Sequence, residues 1–225
     1  MDENRVRWNE QHKALRSALR DPARLAEAKQ LFMQVHAPLH ARSVSAAPGW
    51  NYAEEIWDGL TEAEFRCIPA GVEHSIAWCW WHLSRIEDVT LNLLVARSEQ
   101  VFTRDGWAAR LHAPIQDSSN ESQPAEVRAL SEQVAFAELR AYRSAVGQRT
   151  REVVNELSAA DLKRKAAAAD LQRILDEGGV KPAASGVLEY WGGLTVAGLL
   201  LMPPTRHNLV HLNECQLLKK KARRG

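Results

Sequence analysis

The sequence predicts an all-α bundle of four long helices with small additions. Apolar residues recur at helical spacing through nearly the whole chain, while period-two alternation is almost absent. Helix punctuation (Asp-Pro, Thr-Glu-Ala-Glu, Gly-Gly, Pro-Pro) falls at the ends of those periodic runs. At 225 residues, 45% hydrophobic and 25% charged, the chain is long enough to bury a substantial core as one domain over residues 1–225.

A first helix is predicted over residues 3–19. Asp21-Pro22 reads as an N-cap followed by proline at the first helical position. It opens PARLAEAKQLFMQVH, where Leu25, Ala28, Phe32 and Val35 make one buried stripe. SVSAAPGWNY is a turn-rich break. Thr61 heads a capping box, T-E-A-E, for a short helix within residues 58–66. The main core helix is predicted from about Val72 to Gln100, with Ile76, Trp80, Leu83, Val89, Leu93 and Leu94 among its apolar residues. Apolar side chains cover much of the circumference of its first half, which implies burial on several sides.

LHAPIQDSSNESQPAE is a polar, proline-bounded loop. The next long helix begins near Pro124 and carries Val127, Leu130, Val134, Leu139, Tyr142, Val146 and Val153. Ser158 to Asp161 reads as a fresh N-cap before Leu162, Leu171 and Leu175, a run closed by Gly178-Gly179. The last helical stretch runs from about Val187 to Lys221 and is broken or kinked at Pro203-Pro204.

A formal net charge of +1 gives no global field to favour nucleic acid or an anionic membrane. The basic tail KKKARRG complements a helix C-terminus and lacks interleaved aromatics, so no nucleic-acid partner is expected. MDENRVRWNEQ has no apolar core of a secretory signal. GVLEYWGGLTVAGLLLMPP is interrupted by Glu189, glycines and prolines, and its apolar part is too short for a membrane span. GGLTVAG lacks the Lys-Ser/Thr of a nucleotide loop. Cys67, Cys79 and Cys215 are an odd, sparse set consistent with reduced thiols, so a cytoplasmic location is expected.

The chemistry concentrates in histidines. His207 and His211, four residues apart, stand on one face of a helix, and His82 lies on a separate apolar helix. A pair on one helix and a single histidine on another is how a bundle core assembles a three-imidazole site for a divalent transition metal. His36 and His40 share the spacing, but Pro38 lies between them, and that pair is read as structural or exposed. Cys79 and Cys215 sit one turn from His82 and His211; buried cysteine commonly serves as a small hydrophobe, and both are left outside the site. His12, His74 and His112 lack partners at helical spacing and are expected at the surface.

Trp78 lies on the His82 face and can wall a pocket, whereas Trp80 and Trp81 fill the core or a dimer seam. Glu87 or Asp88 can orient a ligand histidine, though both are expected as helix-surface charges. Arg85 and Arg206 can receive a carboxylate, with surface roles expected.

One histidine early in the second long bundle helix and an HxxxH pair in the last resemble the DinB-like (DNA-damage-inducible) superfamily of metal-binding four-helix bundles. The residues carrying the resemblance are WHLSRIEDVTLNLL at 81–94 and LTVAGLLLMPPTRHNLVHLNECQLL at 194–218, within a core of about 20–220. The resemblance implies an up-down-down-up bundle, often a homodimer, with His82, His207 and His211 holding nickel, zinc or a similar ion. It also implies thiol-linked chemistry, since family activities include mycothiol-dependent isomerisation of maleylpyruvate and bacillithiol-dependent S-transfer. It does not imply DNA binding. The N-terminal helix and an insertion at about 158–185 are additions to the family pattern. Two functions follow as expectations: a metal-dependent thiol S-transferase or hydrolase, or a non-catalytic bundle with a structural metal or none that acts through protein contacts.

Overall fold

The computed structural model describes residues 2–224, which contain helices and, among the described residues, no strand; one isolated bridge pairs Lys165 with Thr195. Helix α1 (Glu3–Ala18) starts at Asp2, whose carboxylate accepts the amide of Asn4. Asp21 caps the following turn through the amide of Ala23, Pro22 takes the first position, and α2 (Leu25–His36) runs on with Ala28, Phe32 and Val35 buried. The short helices α3 (Arg42–Ser45), α4 (Tyr52–Trp57) and α5 (Glu62–Arg66) follow. The capping box at α5 forms: Thr61 Oγ1 accepts from the Glu64 amide and Glu64 Oε2 from the Thr61 amide.

The central helix α6 (Ile76–Asp88) is buried at every residue and is capped by Ser75, which leaves residues 72–74 outside it. It continues as a π-helical segment, Val89–Ala96, and stops at Arg97 in the left-handed region (φ 55°). The helix is therefore shorter at both ends than the sequence suggested. Then come α7 (Val101–Arg104), α8 (Trp107–Leu111), α9 (Pro124–Gln133) and α10 (Phe136–Glu156). The single helix expected from Pro124 is two, because Val134 turns to an extended conformation and the amide of Ala135 bonds to the carbonyl of Leu111.

In the inserted segment, Asp161 accepts from both the amide and hydroxyl of Ser158, but only a short turn follows before α11 (Ala168–Asp176). Leu162, Ile174 and Val180 are buried there, so this segment packs into the core. The last stretch divides into α12 (Ser185–Gly193), α13 (Val196–Leu201), a π-helical turn at Met202–His207 that absorbs Pro203 and Pro204, and α14 (Asn208–Ala222). Widened turns of this kind accommodate residues that an α-helical ladder rejects. Buried apolar residues from Trp8 to Leu218 form one cluster. No described helix is long and apolar enough to cross a membrane.

The long helices α2, α6, α10 and α14 meet at Glu87, which is fully buried. Its Oε1 accepts from His36 Nε2 (3.0 Å) and Thr150 Oγ1 (2.7 Å), and its Oε2 from His40 Nε2 (3.1 Å) and Asn208 Nδ2 (2.7 Å). Burial alone would raise the carboxyl's pKa, but interactions with His40 and His36 outweigh it and hold it well below the usual range. Burial in turn keeps both imidazoles neutral. Arg143 Nη1, 3.9 Å from Oε2, supplies the countercharge. Glu87 and Asp88 are thus interior groups, since each faces a polar network that a reading of their own helix does not reveal. Asp88 accepts the amides of Val101 and Phe102 and the hydroxyl of Tyr142. Arg85 is also interior, donating to Tyr142, Gln100 and the carbonyl of Gln116.

The His40 ring fits because residue 147 has no side chain: a Cβ at Gly147 would lie 2.4 Å from His40 Nδ1. Gly147→Ala should gain about 0.5–1 kcal/mol in helix propensity and lose more to overpacking, with a net destabilisation of about 1–2 kcal/mol. Urea unfolding checks this; a variant as stable as the parent would contradict the packing described.

Candidate metal centre

His82 comes from the middle of α6, His207 from the end of the π-helical turn, and His211 from the first turn of α14. The Nε2 atoms of His82 and His207 are 3.2 Å apart. Ring centroids are 5.0 Å apart for His82–His207, 4.8 Å for His82–His211 and 4.6 Å for His207–His211. One nitrogen from each of the three lies within 4.8 Å of the others. The sequence-predicted residues are brought together.

Hydrogen bonding fixes the tautomer of His82 and orients the ring of His211. His82 Nδ1 is 2.6 Å from the carbonyl of Ser118, which can only accept, so Nδ1 carries the proton and Nε2 is bare. His211 Nδ1 is 2.8 Å from Glu214 Oε2. Burial would raise the Glu214 carboxyl's pKa, but hydrogen bonds from His211 and His74 hold it far below the usual range, so it accepts from the Nδ1–H of His211. Burial lowers His82 to about 3 and pushes His207 well below its usual value, and a proton on one ring of the group further disfavours a proton on the next. Crowded, desolvated imidazoles with carbonyl and carboxylate partners behind them fit a divalent transition metal.

Two other groups have metal-ligand residue types. His36, His40 and Glu87 lie together, but Glu87 already accepts four donors and is balanced by Arg143, so this cluster needs no cation. Pro38, in the turn Ala37–Leu39, does not prevent both rings from reaching Glu87. Cys79, His211 and Glu214 form the third group, yet burial pushes the Cys79 thiol well up, which keeps it protonated and a poor ligand.

A loop is bolted along one face of α6 and roofs the histidines. Trp78 Nε1 donates to Ser119 Oγ (2.7 Å), Trp81 Nε1 to the Asp117 carbonyl (2.8 Å) and Arg85 Nε to the Gln116 carbonyl (2.9 Å), alongside the His82–Ser118 bond. These four donors sit at positions 78, 81, 82 and 85, one helical face. The tryptophans are therefore interior and do not supply a dimer seam. The cleft beneath the loop has a volume of about 240 Å³ and is lined by His74, Trp78, His82 and residues 119–122.

Sequence reasoning missed several participants. His74, expected at the surface, stacks on Trp78 (3.5 Å between centroids), which stacks on His82 (4.7 Å), and its Nδ1 is 2.8 Å from Glu214 Oε1. The series 74, 78, 82 has a four-residue spacing, and Glu214 lies three residues past His211. Those spacings are the signals that point to them. His12, also expected outside, is buried, with Nε2 3.0 Å from the Leu201 carbonyl and 3.2 Å from Thr205 Oγ1. It stacks on Trp8, one turn before it. Arg206 binds Asn9 and lies over Trp8, away from the cleft residues; His112 is exposed.

The site and its scaffold define an all-α bundle with a three-histidine cluster on two of its helices. Residues 46–211 match the DinB superfamily, well over half of the chain, and the protein belongs to that superfamily. No curated protein matches the chain.

Acid should unfold the metal-free protein early. His40 and His82 fall from 6.5 to about 3, so the unfolded chain takes up protons below 6.5 that the folded chain refuses. Their neutral burial is costless above that pH and costs progressively more below it. Between pH 7 and 5 the loss should be about 2 kcal/mol for each of the two, read from urea midpoints; a midpoint that does not change would refute the assignment of neutral rings.

Proposed function

We propose that the protein is a divalent-metal-dependent enzyme, with His82, His207 and His211 as the three protein ligands and a further coordination position reached from the cleft, which His82 lines. The carrying observation is the convergence of the three rings: His82 Nε2 and His207 Nε2 are 3.2 Å apart, and one nitrogen of His211 lies within 4.8 Å of both. Three histidines are the count found where one position is left for water or substrate. Membership of the DinB superfamily supports the same reading, with nickel or zinc as the ion.

When bound, such an ion lowers the proton affinity of a thiol or water and supplies a nucleophile near neutral pH. The chain's own residues do the rest. Trp78 walls the cleft, and Ser119 and Ser122 present hydroxyl groups to it. Thiol S-transfer is the preferred reaction class. Hydrolysis is a second reading that one observation favours: His74, oriented by Glu214 at 2.8 Å, lines the cleft beside His82 and places an imidazole where hydrolysis requires a base. The alternative is a non-catalytic bundle with a structural metal or none that acts through protein contacts, and the cleft beside His82 argues against it.

The proposed assembly is a homodimer. Val210 and Leu217, 51% and 62% exposed and seven residues apart on α14, offer an apolar face. Light scattering at micromolar concentration should give twice the chain mass; a monomer there would rule it out.

Elemental analysis should find one transition-metal ion per chain, reduced at least tenfold at submicromolar free metal in His82→Ala, His207→Ala and His211→Ala. His36→Asn should keep it. Full retention in all three triad variants would sink the ligand assignment. With cobalt in the site, addition of a small thiol should produce a charge-transfer band; its absence alongside ester or amide cleavage would favour the hydrolytic reading.

A further inference from the structure

We infer that the cleft selects small substrates carrying a positive or neutral polar group beyond the reacting atom, and that it rejects carboxylates. The inference deepens the proposed metal-site reading and rests on it for the position of the reacting atom. Among the described residues lining the cleft there is no lysine or arginine. Its lining offers the hydroxyls of Ser119 and Ser122, the amide of Asn120, the rings of His74 and Trp78, and one formal charge, the carboxylate of Glu121. Glu121 is exposed and joins none of the ion pairs among the described residues, so its charge is available to a ligand. Behind His74 stands a second carboxylate, Glu214, with Oε1 2.8 Å from His74 Nδ1. The arginines that the sequence offered as carboxylate receptors are spent elsewhere: Arg85 on Asp88, Tyr142 and Gln100, Arg206 on Asn9 and His12.

The loop holds Glu121 in place rather than trailing it. Ser119 and Glu121 both adopt left-handed backbone conformations, at φ 63° and 56°, which side-chain-bearing residues rarely take. Ser119 is locked by the Asp117 carboxylate on its amide (2.7 Å), by Trp78 Nε1 and by Ser122 Oγ (2.6 Å). Strained residues that the surroundings hold so firmly concentrate at ligand clamps. The volume, about 240 Å³, suits a compact molecule, not a large conjugate.

Three thiols with one two-carbon spacer separate charge from shape: cysteamine, 2-mercaptoethanol and 3-mercaptopropionate. Each is titrated into the zinc-loaded full chain, with binding followed by the NMR resonance of the Trp78 indole N–H and zinc content measured on the same sample. An ion pair at this solvent-open site supports a preference of about fivefold for cysteamine over 3-mercaptopropionate at low salt. The preference should fall below about twofold in roughly 0.5 M salt, where screening acts within a few ångströms. Glu121→Gln, a substitution on an exposed loop side chain, should abolish it in the same way while zinc content stays constant. Equal affinities, tighter binding of 3-mercaptopropionate, no response of Trp78 to any probe, or a preference unchanged in Glu121→Gln would each overturn the inference. A charge preference in protein that retains no zinc would instead remove the metal reading and leave the selectivity standing.

Discussion

A single buried carboxylate sets the geometry of this bundle. Glu87 projects from α6 into the space between the other long helices, and each of them answers with a donor: His36 from α2, Thr150 from α10 and Asn208 from α14, with His40 just beyond α2. Four acceptor sites are matched by four donors, and Arg143 balances the charge. Burying an ion pair gains little net stability, whereas deleting one partner leaves an uncompensated charge that costs about 3–5 kcal/mol. The value of such a network lies in register. A one-residue slip of α14 against α6 would strand Glu87, and Asn208 is the residue next to His207. The carboxylate that ties the helices together thereby fixes how the histidine pair faces His82.

The same logic continues around the histidine triad. His82 is held by a backbone carbonyl, His211 by Glu214, and Glu214 by His74. Desolvated imidazoles such as His82 and His207 are a poor way to stabilise a fold, because each refuses in the folded chain a proton that it would take up in the unfolded one. Both helices that carry the triad depart from regular α geometry nearby, at Val89–Ala96 and at Met202–His207. The second of these delivers His207 from a π-helical turn while His211 sits in an ordinary one. π-Helical turns recur near functional sites because they re-aim side chains without ending the helix.

Much of this was legible in the sequence. The helical period, the Asp21-Pro22 start and the Thr61 capping box are local signals, set by residues within a turn of one another, and they produced the helices expected of them. The triad was legible because i,i+4 spacing is itself geometric. What stayed hidden depends on contacts between distant residues. Glu87 and Asp88 look like surface charges in a helix read alone; only Asn208, Thr150 and the amides of Val101 and Phe102 make them interior. His12 is buried because the widened turn presents Leu201 and Thr205 to it from nearly two hundred residues away. The break between α9 and α10 arises from the Leu111 carbonyl, which no pattern within residues 124–156 encodes. The roofing loop was visible as a loop, but its attachment to Trp78, Trp81, His82 and Arg85 was not.

X-ray absorption spectroscopy on the metal-loaded protein tests the central claim most directly, because it counts and identifies the atoms around the ion. The account predicts a first shell containing three imidazole nitrogens at about 2.0–2.1 Å, with light oxygen or nitrogen atoms completing it. It also predicts loss of one imidazole signature when His207 is replaced by alanine and the site is forced at high metal concentration. A sulfur shell at about 2.3 Å in the absence of added thiol would place Cys79 in the coordination sphere. That result would contradict the three-histidine centre.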